Sequence, residues 1–211
     1  MMGKIKFQYL GFLFFTLLAC ENKGLENSLR EENLLDSLSN LYQQGDINLC
    51  VKLGEFFTKE YKENHQGYQL LSSAYLKNEN DSLAILNAKK SLDINPLNPI
   101  SLLNIAIVFD KRGDYESAFS YYEKSLLINE NLYQTYSNYV GNRILSNDLR
   151  HALELSEKAV ELGDYVGDKA LLVYLYHEVK EFNKRDSLFE VLRKLDYVNL
   201  SDLEDVLIDE N

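Results

Sequence analysis

Apolar and polar positions follow the same order in two adjoining stretches of this chain, and the order recurs after thirty-four residues. Residues 65–98 read HQGYQLLSSAYLKNENDSLAILNAKKSLDINPLN, and residues 99–132 read PISLLNIAIVFDKRGDYESAFSYYEKSLLINENL. They align without a gap. In the second stretch Leu102, Ile105, Ala106 and Phe109 fall three or four residues apart, the spacing of one helical face. Lys111-Arg112-Gly113-Asp114-Tyr115 then breaks the pattern. Gly113 suits the left-handed conformation that ends a helix, and Asp114 suits the cap of the next. Ala118, Tyr122, Ser125 and Leu126 line a second helix, where the small residues allow close approach and the tyrosine fills the space between the pair. Each period therefore predicts a helix, a tight turn and a second helix.

These residues resemble the tetratricopeptide repeat. That pattern has a large residue at position 4, Leu at 7, a small residue at 8, an aromatic at 11, Ala at 20, an aromatic at 24, a small residue at 27 and Pro at 32. The stretch from 99 supplies Leu102, Ile105, Ala106, Phe109, Ala118, Tyr122 and Ser125, with Glu130 in place of the proline. The stretch from 65 supplies Tyr68, Leu71, Ser72, Tyr75, Ala84, Ala88, Ser91 and Pro96. Outside them the match thins. From 133, Tyr136, Tyr139, Ala152 and Ala159 fit, but Arg143 stands where an aromatic belongs. From 166, Leu172, Tyr176, Phe189 and Leu192 fit, but Arg185 takes a small-residue slot. Near 32, Leu35, Leu38, Ser39 and Tyr42 fit a first helix, followed by Gly45-Asp46. Ser201-Asp202-Leu203-Glu204 reads as a capping box opening a short closing helix.

The resemblance implies an all-α fold over residues 31–211: a right-handed superhelical array of about five such hairpins with a short C-terminal capping helix. It also implies a concave groove lined by the first helix of each repeat. On that reading Gln69, Ser73, Lys77, Asn104, Ile107, Lys111, Asn138 and Tyr174 are candidate peptide-contacting residues. The mixed polar and apolar lining suits a peptide segment or a helix. Asn104 and Asn138 share one repeat position, from which their amides would hold an extended backbone. Relatives that clamp terminal carboxylates carry Lys at position 5 and Asn at position 9. Here those positions hold Leu103 and Ile107, or Gln69 and Ser73, so a clamp of that kind is not expected.

The amino terminus has a separate character. Lys4 and Lys6 precede an apolar run from Phe7 to Leu18, which ends in Leu17-Leu18-Ala19-Cys20. The run is short for a permanent span. Its end resembles the lipobox of bacterial lipoproteins, in which the cysteine is acylated after cleavage before it. The implied organisation is a signal peptide over 1–19, a lipidated tether over 20–30 with the lipid on Cys20, and the repeat domain beyond. Membrane attachment would then run through that lipid. The expected location is the bacterial cell envelope, on the outer membrane facing the periplasm, with the cell surface as the alternative.

Charge narrows the partners. The formal net charge is -11, and removal of Lys4 and Lys6 would leave 20 basic against 33 acidic residues, or -13. No basic stripe offers a nucleic-acid interface. His65, His151 and His177 make no metal-ligand spacing, and His177-Glu178 are adjacent helical positions that face apart. His177 is expected at the surface. Cys50 lies in an apolar stripe with Ile47, Leu53 and Phe57 and reads as a buried small hydrophobe, a reactive thiol being the other option. No nucleophile elbow or phosphate loop occurs. No metal, cofactor or catalytic residue is therefore expected. The sequence points to an envelope scaffold binding a protein or peptide, possible settings being outer-membrane, pilus or cell-wall assembly. The alternatives are a surface lipoprotein that contacts host molecules and an enzyme with a site assembled across repeats.

Overall fold

The computed structural model describes residues 26–195 and 197–208, and every regular element among them is a helix. α1 covers 26–44. It is followed by α2 (Ile47–Glu60), α3 (His65–Lys77), α4 (Asp81–Ile94), α5 (Pro99–Lys111), α6 (Tyr115–Ile128), α7 (Tyr133–Leu145), α8 (Leu149–Gly163), α9 (Val166–Glu178), α10 (Phe182–Lys194) and α11 (Leu200–Ile208). The chain forms two compact units that divide between Ile94 and Asn95. The first contains the hairpins α1–α2 and α3–α4. The second contains α5–α6, α7–α8 and α9–α10, with α11 packed on α9. The signal segment, Cys20 and residues 20–25 of the expected tether lie outside the described residues.

One turn recurs in all five hairpins. Gly45, Glu79, Gly113, Asn147 and Lys180 each have a positive φ, between 57° and 82°, and the first four are thirty-four residues apart. At Gly113 the amide donates to the Asp110 carbonyl at 2.9 Å, and the Asp114 amide donates to the Phe109 carbonyl at 3.0 Å. This is the Schellman arrangement, which satisfies the last carbonyls of a helix through a left-handed residue. The same two bonds form at Gly45 and Asp46, Glu79 and Asn80, Asn147 and Asp148, and Lys180 and Glu181. The residue after the left-handed one then starts the next helix. Asn80, Asp114 and Asp148 accept from the amides of Leu83, Ser117 and His151 through their side chains, as good N-caps do. Asp46 and Glu181 make no such side-chain cap.

Small residues hold the hairpins closed. Ser91 Oγ donates to the His65 carbonyl at 2.9 Å, and Ser125 Oγ, one period later, donates to the Pro99 carbonyl at 2.9 Å. Each ties an outer helix to the first residue of its inner helix, so a larger side chain there would part the two backbones. Ala84 and Ala88 in α4, and Ala118 in α6, are wholly buried for the same reason. In the first unit Leu38, Cys50 and Ala74 form a buried cluster, with the Cys50 thiol 3.7 Å from the Leu38 carbonyl. Phe57 fills the space that Gly67 leaves open in α3. In the second unit Tyr122 and Tyr139 stack with centroids 5.0 Å apart at the centre of a core shared by α5 to α9.

Two boundaries differ from the sequence reading. Residues 26–30, assigned to the tether, are already helical, and all five are exposed. No Gly or Pro lies between Gly24 and that helix to stop it extending backwards. α11 is the expected closing helix, but it begins at Leu200, which places Ser201 in the first turn instead of at the cap. The Ser201 hydroxyl reaches Asp202, so the capping box does not form as read.

Candidate functional site

In the first unit the residues predicted for the groove are partly occupied by a neighbour. Gln69 is half-buried, Ser73 buried and Lys77 exposed. The Lys77 ammonium stands 4.2 Å above the Tyr42 ring, and Ser73 shares a hydrogen bond with the Tyr42 hydroxyl. Tyr42 was legible in the sequence as a packing residue of α1, but its hold on α3 was not. Burial and the neighbouring Cys50 push the Tyr42 phenol above its ordinary range, and the Ser73 bond draws it partly back. The Cys50 thiol is also pushed up by burial, with Lys77 opposing the shift. Cys50 thus sits as a small packing group in the cluster with Leu38 and Ala74.

The second unit presents the more open face. On α7, Asn138, Gly141 and Leu145 follow at helical spacing: Asn138 is exposed, and Leu145 is 61% exposed. A Cβ built on Gly141 would meet no atom within 4 Å. The Asn138 amide donates to the Gln134 carbonyl of its own helix at 2.7 Å. On α9, Leu171, Tyr174 and Glu178 share one face and are half-buried. On α5, Ile107 is half-buried and Lys111 exposed, whereas Asn104 is 4% exposed. The two asparagines predicted to act together are therefore unlike: one is inside the unit and the other outside.

Polar groups beneath this face are engaged. Asp110 accepts from the Tyr122 hydroxyl at 2.5 Å and from the Asn142 amide at 2.6 Å. Burial, then the bond to Asp110, pushes the Tyr122 phenol far above its ordinary range. Arg143, the departure from the aromatic slot, is buried. It donates to the Asn142 side-chain oxygen at 2.8 Å and lies over the rings of Phe119 and Tyr139. Tyr133 and Ser137 on α7 both reach Asp168 on α9, at 2.6 and 3.4 Å, which fixes one inner helix against the next.

His177 is not at the surface as expected. It is 8% exposed, and its Nδ1 lies 2.9 Å from the Arg185 guanidinium. The sequence feature that marks this corner is Arg185 in a small-residue slot.

Among the described residues no group of three or more His, Cys, Asp or Glu is placed to hold a metal ion. No helix among them is long and apolar enough to cross a membrane.

Residues 100–132 match the tetratricopeptide repeat. No curated protein matches the chain in sequence. Solved structures do match it in fold. TTC0263, a thermophilic TPR protein of Thermus thermophilus, superposes with a TM-score of 0.66 at 17% identity, over 84% of this chain and 96% of that one. PilF of Pseudomonas aeruginosa gives 0.69 at 12% identity, over 78% and 75%. The first TPR of Spaghetti (RPAP3), bound to the HSP90 peptide SRMEEVD, gives 0.52 at 20% identity, over 55% and 95%. The fold is that of tetratricopeptide-repeat proteins, an all-α architecture of paired hairpins.

Proposed function

We propose that this chain is a lipid-anchored scaffold of a bacterial envelope, which holds a protein or peptide segment against the inner helix faces of its repeats. Gly141 is the observation that carries the binding reading. A glycine inside a helix is about 1 kcal/mol less favourable than alanine, and among the described residues no atom within 4 Å would obstruct an alanine there. The missing side chain leaves room for a close approach beside exposed Leu145. Ile107, Ile144, Leu171 and Tyr174 supply half-buried apolar surface on the same set of inner helices. With Leu103 and Ile107 in place of the clamp residues, this face favours an apolar or amphipathic segment, unlike the acid-ended peptide seen with Spaghetti. In the first unit, Gln69, Ser73 and Lys77 are the corresponding candidates. The anchor is carried by the sequence ending at Cys20.

The test is crosslinking in native envelopes followed by identification of the captured protein. Gly141→Leu and Tyr174→Ala should each lower its recovery at least tenfold, given the energies typical of buried apolar anchors. Gly141→Ala should raise thermal stability while weakening capture. Recovery unchanged in all three variants overturns the groove assignment. For the location, protease added to intact cells should spare the chain, and degradation would favour display on the surface.

A further inference from the structure

Each hairpin of the second unit has two edges. The left-handed turn closes one, and at the other the chain leaves an outer helix and enters the next inner helix. Large apolar side chains stand in the solvent along that second edge: Leu97 is 69% exposed, Leu127 89%, Tyr165 57% and Val198 92%. Leu97, Tyr165 and Val198 hold the same place, the thirty-third, in the repeats that start at 65, 133 and 166. The remaining repeat has Asn131 there, with Leu127 four residues earlier.

Hydrogen bonds and ring contacts gather these loops side by side. Ser125 Oγ, two residues before Leu127, lies 2.9 Å from the carbonyl of Pro99, two residues after Leu97, and 3.0 Å from Thr135 Oγ1 of α7. Tyr133, the first residue of α7, donates to Asp168 in the first turn of α9 at 2.6 Å, and its ring lies 4.7 Å from that of Tyr165. Tyr197, beside Val198, packs against the cluster of Ala170 and Val173 of α9 and Leu192 of α10. A single exposed leucine is ordinary on a protein surface. Here such residues return at one edge from loop to loop. Neutral amides stand between them, Asn129, Asn131 and Asn199, and the Asp164 carboxylate is paired with Lys169 at 2.7 Å. Apolar tips set among amides suit the headgroup level of a bilayer, where the apolar groups sink and the polar ones stay wet.

We propose that this edge of the second unit rests on a lipid bilayer, with Leu97, Leu127, Tyr165 and Val198 entering the headgroup layer. The proposal builds on the lipid anchor at Cys20. Glu26, where α1 begins, lies six residues after that cysteine, and a chain of that length spans at most about 20 Å. The anchor thus keeps the protein beside a membrane, where contacts too weak to hold a free protein form by proximity. With a net charge of -11 the chain is repelled by anionic lipid, so the lipid that fits is zwitterionic.

The chain contains no tryptophan, so a single introduced one reports its own surroundings. Full-length Leu127→Trp and Val198→Trp, reconstituted into phosphatidylcholine vesicles, place the probe at this edge. Arg112→Trp places it at the opposite one, beside the left-handed turn at Gly113. Lipid brominated on its acyl chains should lower the emission at 127 and 198 about twofold or more, since indole settles at the membrane interface, and should leave 112 unchanged. Equal quenching at all three positions, or none at 127 and 198, overturns the proposal. So does emission from 127 and 198 that shifts to the blue with protein concentration in the absence of vesicles, which would assign the edge to a second copy of the chain. Fatty-acid labelling of the same preparation reads the anchor separately. Label without edge-specific quenching sinks this proposal alone, and edge-specific quenching without label sinks only the anchor.

Discussion

Four left-handed turn residues spaced at thirty-four, occupied by glycine twice and by Glu79 and Asn147 otherwise, allow the backbone term to be isolated from every contact. Glu79 is an ordinary L-residue held at a φ of 57°. Such a residue is strained by about 1–2 kcal/mol, and glycine would release the strain. The same change adds about 0.4–1 kcal/mol of unfolded-chain entropy. The net expectation for Glu79→Gly is a gain of roughly 0.5–1 kcal/mol, from the same two terms. Gly113→Ala is the reverse change at the equivalent turn. With no atom within 4 Å of the new Cβ, it should lose a similar amount without any clash. Lys89→Gly serves as the control, because Lys89 is exposed inside α4 and glycine there should lose about 1 kcal/mol. Urea unfolding reads all three as shifts in midpoint at constant slope. The reasoning fails if Glu79→Gly destabilises as much as Lys89→Gly, since φ alone separates the two sites. Asn147 should benefit less from glycine, because asparagine tolerates this conformation.

Three further outcomes test other parts of the structure. Gly67→Ala should destabilise the first unit by about 1–3 kcal/mol despite its better helix propensity, because the new methyl would overlap the Phe57 ring; a stabilised variant in thermal melts would show that the ring can yield. Burial, then the 2.5 Å bond to Glu55, pushes the Tyr75 phenol up to about 12 from 10.0. Below the lower value both folded and unfolded chains hold the proton; between the two, only the folded chain does, so stability should fall as pH rises through that window, by at most about 2.7 kcal/mol. Urea midpoints on either side of the window should show this fall, and Tyr75→Phe should lessen it; an undiminished fall in the variant would remove Tyr75 as its source. Metabolic labelling with a fatty-acid analogue should tag the chain and leave Cys20→Ala untagged, and label persisting in that variant would refute the anchor.

The fold was legible wherever the physics repeats. Of the two helical stripes the spacing defines, Leu102, Ile105, Ala106, Ala118, Tyr122 and Ser125 are buried and Phe109 and Leu126 half-buried, because the apolar stripe and the small-residue contacts are properties of a single hairpin. The left-handed turn was visible at Gly113 and Gly45 but hidden at Glu79 and Lys180, exposed residues held in the same turn by the same pair of backbone hydrogen bonds. Candidate binding residues were harder to place. Repeat position distinguishes inner from outer faces, but Asn104 and Asn138 share a position and differ in burial, since burial depends on the neighbouring helices as well as the helix's own phase.

The two arginines show where this chain departs from a generic repeat. Arg143 and Arg185 both stand in slots where the repeat has no charged residue, and each is matched by compensation elsewhere in the sequence. Arg143 has the Asn142 oxygen, Asp148 at 4.0 Å and two aromatic faces; Arg185 has His177, Asp186 and Phe182. A buried guanidinium without such partners would destabilise by several kcal/mol, so the slot and its partners must change together. The environments nonetheless differ in one respect. Arg143 meets an amide oxygen, whereas Arg185 meets a ring nitrogen. The same kind of departure is therefore accommodated by different chemistry in the α7–α8 and α9–α10 hairpins.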